Sequence, residues 1–166
     1  MIVKISQLEA SAMHGVLAPF AAFTALALAA MSLGGALYEC LLVDRIWPAN
    51  IHLIQPEQGG LNRKLFWMPV HFVFEFTLIA ALWLVWAHPS ARLCLFIAAA
   101  SHLVMRAWSG IYFIPRALEF ERANQMTPAM QEKARRWVRL SIWREPLDFA
   151  TLLALCGAVT ALLISQ

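Results

Sequence analysis

Charge is what this 166-residue chain has least of: 14% of its residues are Asp, Glu, Lys or Arg, against about 25% in an ordinary soluble domain. Too little polar side chain is present to coat a water-soluble globule, and 61% apolar residues leave no room for disorder. Cysteine is also scarce. Cys40, Cys94 and Cys156 show no Cys-x-x-Cys spacing and sit in or beside apolar runs, so neither a disulfide scaffold nor a zinc site is indicated. No internal repeat, low-complexity tract or alternating ten-residue barrel pattern is visible. The net charge of +3 does not form a basic stripe. Most bases flank apolar runs, which points away from nucleic acid and towards lipid headgroups.

What is abundant is long apolar sequence. A spanning helix needs roughly 20 mainly apolar residues, and four segments qualify: about 16–42, 65–86, 91–114 and 142–164. The first is longer than the apolar core of a signal peptide, and 1–14 is not a basic leader, so it is expected to be a retained anchor. The expected fold is all-α: one integral membrane four-helix bundle spanning 1–166. Arg45, Arg63 and Lys64 lie between the first two segments, and Arg116, Arg122, Lys133, Arg135, Arg136 and Arg139 between the last two, whereas the opposite side carries Lys4 and Arg92. By the positive-inside rule the basic connections face the cytoplasm and both termini the other side, a pattern suited to a bacterial inner membrane. Trp47, Trp67, Trp86, Trp137 and Trp143 are expected at the two interfaces as an aromatic belt. The 44–64 connection, with Trp47-Pro48, Pro56 and Gly59-Gly60, suits an irregular segment or lid. Thr127-Pro128 reads as N-cap and first residue of a new helix, and Pro146 predicts a kink where that helix enters the fourth segment.

Ionisable side chains in mid-bilayer cost about 2.5–3.5 kcal/mol each on insertion scales, so each needs an interior partner or a purpose. At about 1.5 Å per residue, His71 and Glu75 lie about 9 and 15 Å deep on the second segment, while His102 and Arg106 lie about 16 and 22 Å in from the opposite side on the third. Glu75 is thus level with His102, and His71 with Arg106. Each pair is spaced i,i+4 and shares one helix face. Tyr38, Glu39, Trp108, Tyr112, Arg144, Glu145 and Asp148 lie nearer the basic boundary, completing a polar funnel. The expected catalytic set is Glu75, His102, His71 and Arg106, with Tyr38, Glu39, Trp108, Tyr112 and Asp148 binding substrate. A carboxylate beside an imidazole suits proton transfer, and a fixed cation suits developing negative charge on oxygen. The opposing reading makes these groups hydrogen-bonded fasteners between helices, each contributing about 0.6 kcal/mol. Arg144 and Glu145, close to the boundary where charge is tolerated, are expected to be structural, and Ser32, Gly34 and Gly35 to let helices pack closely.

No cofactor is favoured. The di-iron signature, Glu-x-x-His on two helices, is absent. Iron or copper held by His71, Glu75, His102 and Glu39, or haem held by His71 and His102, would make the chain a metal- or haem-dependent membrane oxidoreductase instead. A proton-coupled transporter and a non-catalytic membrane subunit are further alternatives. The small-residue run Gly34-Gly35-Ala36 leading to Tyr38-Glu39, the polar loop with Trp47-Pro48, Arg63 before Phe66-Trp67, and His102/Arg106/Trp108 together resemble the anthrone-oxygenase-like group of small four-helix membrane proteins. That resemblance covers most of the chain in layout and implies oxygenation of a flat aromatic or polyketide-like substrate. His71-x-x-x-Glu75 is also similar to the His/Glu arrangement of membrane sterol isomerases of the emopamil-binding kind. Either way the expected work is oxygenase- or isomerase-type chemistry on a lipophilic small molecule, by a chain that partners the bilayer and is compatible with homo-oligomers.

Overall fold

The computed structural model describes the backbone of residues 2–165 and the side chains of residues 15–165. The side chain of Lys4, counted in the charge balance above, lies outside the described residues. Every described regular element is helical: α1 (Ile2–Tyr38), α2 (Lys64–Leu84), α3 (Pro89–Trp108), α4 (Ile114–Glu121), α5 (Pro128–Ser141) and α6 (Glu145–Ile164). Four stretches, Gly15–Val43, Lys64–Leu84, Pro89–Glu121 and Pro128–Ile164, are long and apolar enough to cross a membrane.

Small side chains set the packing. Ala18, Ala22, Ala25 and Ala29 recur on one stripe of α1 and are all buried, which lets neighbouring backbones approach closely. Around them pack Phe74, Leu78 and Ala81 of α2, Leu95 and Ala98 of α3, and Leu155, Ala158 and Leu162 of α6. Helix α1 thus lies against both α2 and α6, and α6 against α3. The seam between α2 and α3 is the loosest of the four. Of the small residues expected to make the close contacts, Gly34 faces open space and Gly35 meets the rings of Phe66 and Trp67. Gly35 thus gives the expected close approach to α2 and Ser32 is buried, while Gly34 does not contribute; the alanine stripe adds to this on the inward-turning face. Outward faces carry Phe20, Phe72, Phe76, Ile79, Trp83 and Leu163, all exposed. Thr24, Thr77 and Thr160 return their hydroxyls to the carbonyl four residues back, which satisfies a polar group on an apolar helix without an outside partner.

A second core closes one end of the bundle. Trp47, Ile51, Ile54, Phe113, Phe120 and Trp137 bury one another there. Trp47 and Trp137, expected in an interfacial belt, are almost fully enclosed. The reason is that each indole N–H finds a partner, Asp44 Oδ1 at 2.9 Å and the Phe113 carbonyl at 3.1 Å, and a satisfied indole buries as a large apolar group. Gln55 ties the 44–63 connection to this end by donating to the carbonyls of Ala123 (2.7 Å) and Glu121 (3.2 Å), at and just past the end of α4. Thr127 caps α5, accepting from the Met130 N–H at 3.2 Å. The expected break before Pro146 is a short 3-10 turn at Ile142–Arg144.

Candidate functional site

Below the second core the four long helices separate around a cavity of about 370 Å³. Two π turns, Glu39–Val43 and Ser109–Phe113, end α1 and α3. Such turns insert one residue into the helical repeat and re-aim the side chains beyond it; both feed the cavity, with Glu39 and Cys40 from one and Ser109 and Phe113 from the other. Helix α2 contributes Arg63 (its N-cap), Trp67 and His71. Helix α3 contributes Met105 and Arg106, α5 Trp137 and Ser141, and the α5–α6 joint Arg144, Glu145 and Asp148. Met68, Ile114 and Leu118 add apolar wall.

The two faces read from helical spacing do meet, but the closest partner of Glu75 is Arg106 rather than the His102 expected at its level, and no hydrogen bond or ion pair joins His71 to Arg106. Glu75 Oε1 accepts from Arg106 Nε at 2.8 Å and lies 3.5 Å from His102 Nε2. The second contact lacks hydrogen-bond alignment, so His102 Nε2 is buried without a hydrogen-bond partner. The His71 ring stacks on Trp67 (centroids 5.3 Å, planes at 20°) and stands 5.8 Å from the His102 ring, which Phe74 meets edge-on at 4.7 Å. His71 Nδ1 likewise has no hydrogen-bond partner. One expectation needs correction here: Glu75 is not buried. Its side chain is 40% exposed and that of Arg106 33%, because both reach into the loose α2–α3 seam. Of the four, His71 and Arg106 line the cavity, while Glu75 and His102 stand behind them.

Glu39 and Asp148, expected to bind substrate, do line the cavity. Tyr38 does not; it is exposed on an outer groove between α1 and α2. Trp108 and Tyr112 pack against the second core. Glu39 accepts from Trp67 Nε1 at 2.8 Å and lies 4.0 Å from Arg63, which is itself 4.0 Å from Glu121. Lys64 reaches Glu121 at 2.7 Å. These contacts join α1, α2 and α4 at the second-core end of the cavity. With Glu39 so engaged, it does not join His71, Glu75 and His102 as a ligand set, and no group of three or more His, Cys, Asp or Glu among the described residues is arranged to hold a metal ion.

The group that spacing missed is at the α5–α6 joint. Arg144, expected to be a structural boundary charge, is packed 4.2 Å over the Phe113 ring and held by Ser109 Oγ (3.2 Å), Ser141 Oγ (2.9 Å) and the Ser141 carbonyl (3.4 Å). Cys40 Sγ lies 3.7 Å from Glu145 Oε1. The only sequence signal was the density of charge in Arg144-Glu145-Pro146-x-Asp148 beside a predicted kink.

Comparison with known proteins returned no relative: no protein-family model, curated protein or solved structure matches the chain. What fold and cavity define is an all-α chain with four span-capable helices around a space lined by apolar side chains and by convergent ionisable ones.

Proposed function

We propose that the chain is an integral membrane four-helix bundle, basic connections in the cytoplasm, that performs proton-transfer chemistry on a lipophilic small molecule held in this cavity. The observation that carries the reading is the cavity itself, of a size ordinary for small-molecule sites, with an imidazole and a guanidinium on one wall among Met68, Met105 and Ile114. Its outer exposure at Arg106 and Glu75 supports lateral access from the bilayer through the α2–α3 seam.

His71 lines the cavity and its buried Nδ1 has no protein group to satisfy it; in this reading it takes the proton. With a ketone bound, a C–H proton made acidic by the carbonyl, directly or through conjugation, passes to His71; the C–H electron pair becomes a C=C bond and the C=O π pair moves onto the carbonyl oxygen. Arg106, pre-positioned by Glu75, stabilises that oxygen's developing charge, the kind of fixed electrostatic contribution that most lowers a barrier. His102 stands behind His71, its ring 5.8 Å away, with Nε2 3.5 Å from Glu75 Oε1. The resulting enolate has two outcomes: reaction with dioxygen, as the oxygenase resemblance implies, or return of the proton to a different carbon, which is isomerisation.

Two probes separate these outcomes in purified protein in lipid nanodiscs. Anthrone plus dioxygen gives anthraquinone and water, read by absorbance and oxygen uptake; a β,γ-unsaturated ketone shifts to its conjugated isomer, read by absorbance alone. Turnover of one probe is expected to fall by on the order of 100-fold or more in His71→Ala, the usual worth of a positioned general base. Glu75→Gln and His102→Gln should fold near normally while losing much of the rate. If neither probe is consumed by folded protein, or His71→Ala is as fast as the parent, the proposal fails. Collapse of folding in Glu75→Gln and His102→Gln, with no turnover in the parent, would make these groups fasteners.

A further inference from the structure

Resting on the reading of the cavity as a lipophile site, we infer that Arg144 and Glu145 form a distinct subsite at its α6 end that binds a hydroxyl group on the ligand, its oxygen accepting from Arg144 and its proton donated to Glu145. Four cations line the cavity, and three of them, Arg63, Lys64 and Arg106, each have a carboxylate within 4.0 Å. Arg106 is neutralised in contact with Glu75 at 2.8 Å. Arg144 has no carboxylate within 4.0 Å among the described residues: its partners are two serine hydroxyls, one carbonyl and the Phe113 ring. A guanidinium carries five N–H donors in a fixed fork, and the three contacts leave two of them unused beside the cavity.

Glu145 supplies the complement. It is nine-tenths buried and lines the same cavity. Its Oε1 lies beside the Cys40 thiol, while Oε2 is buried with no hydrogen-bond partner. A buried carboxyl oxygen with no partner is unfavourable until something satisfies it. The two neighbours therefore ask for opposite things, an acceptor at Arg144 and a donor at Glu145. A hydroxyl group offers both. An ether or ketone offers only the first, and a carboxylate sets its charge against Glu145 and Asp148.

The test is a ligand series that varies only the head: naphthalene, 1-methoxynaphthalene, 1-naphthol and 1-naphthoate, titrated by calorimetry into the protein in nanodiscs and corrected with empty nanodiscs. 1-Naphthol should bind at least tenfold more tightly than the other three. Arg144→Met and Glu145→Leu should each bring 1-naphthol down to the level of 1-methoxynaphthalene while leaving naphthalene unchanged. The series on the unmodified protein decides the matter even where a variant does not fold. Equal binding of all four overturns the hydroxyl subsite and leaves the lipophile cavity standing. Tighter binding of 1-naphthoate than of 1-naphthol overturns it in favour of an anion site. Binding of none of the four overturns the subsite and the cavity reading together.

Discussion

Asp44 sits just outside the first long helix, 2% exposed, accepting from the Trp47 indole. Burial pushes its carboxyl up from 3.8 to about 6, with nearby Glu39 acting in the same direction and the Trp47 hydrogen bond and Arg63 opposing it. The folded protein therefore holds a proton between these values that the unfolded chain releases. The favourable contribution is full below about pH 4 and is lost as pH rises through about 6. Thermal melting in detergent should show this fall, and Asp44→Asn, which keeps an acceptor for Trp47, should remove it and raise stability at pH 7–8 by on the order of 1–2 kcal/mol. A variant with the parent's pH slope would exclude Asp44 as the source. At this scale the sequence was most informative for Glu75, His102 and Arg106, whose i,i+4 spacing put them on helix faces that meet, although Glu75 pairs with Arg106 more closely than with the His102 matched to it in depth. It was least informative for Arg144 and Glu145, because depth counted along a straight helix cannot register the 3-10 turn at Ile142–Arg144.

Among the elements, the irregular connection between α1 and α2 is the one that glycine shapes. Gly59 has φ of 82°, and a Cβ on Gly60 would run into the backbone carbonyl of His52 and the backbone of Gln55. Those atoms cannot swing aside, so Gly60→Ala should lower stability by about 1–3 kcal/mol, loosening the Gln55 ties to α4 and the approach of Arg63 to Glu39. Gly34→Ala meets nothing within 4 Å and should melt at or slightly above the parent temperature, since alanine is the better helix former. Melting curves for the pair check both; equal losses would mean that the 51–61 segment is not held as described. The helices, the Thr127 cap and the break before Pro146 were legible because caps, prolines and apolar runs are local signals. The two π turns were not, since nothing in Glu39–Val43 or Ser109–Phe113 distinguishes a π turn from one more α turn, and only packing against the second core selects it.

For the molecule as a whole, the arrangement proposed in the membrane makes a directional prediction. With the native cysteines replaced by serine, a single cysteine at Asn124, between α4 and α5, should react with a membrane-impermeant maleimide only from the cytoplasmic side. One at His88, between α2 and α3, should react only from the opposite side. The reverse pattern would overturn the orientation, and labelling of both sites from one side would overturn the number of crossings. Composition and the lengths of the apolar runs determined by themselves that the chain is all-helical with four span-capable helices, because an unbroken run of about 20 apolar residues has few other ways to satisfy its backbone. Tertiary structure alone decided which polar groups face the same space: that Glu75 lies in an open seam, that Tyr38, Trp108 and Tyr112 turn away from the cavity, that Trp47 and Trp137 are core, and that Arg144 is enclosed beside an orphaned Glu145 oxygen. Those outcomes depend on helix rotation and on contacts between residues up to about a hundred positions apart, such as Cys40 with Glu145, and no local pattern in the chain encodes them.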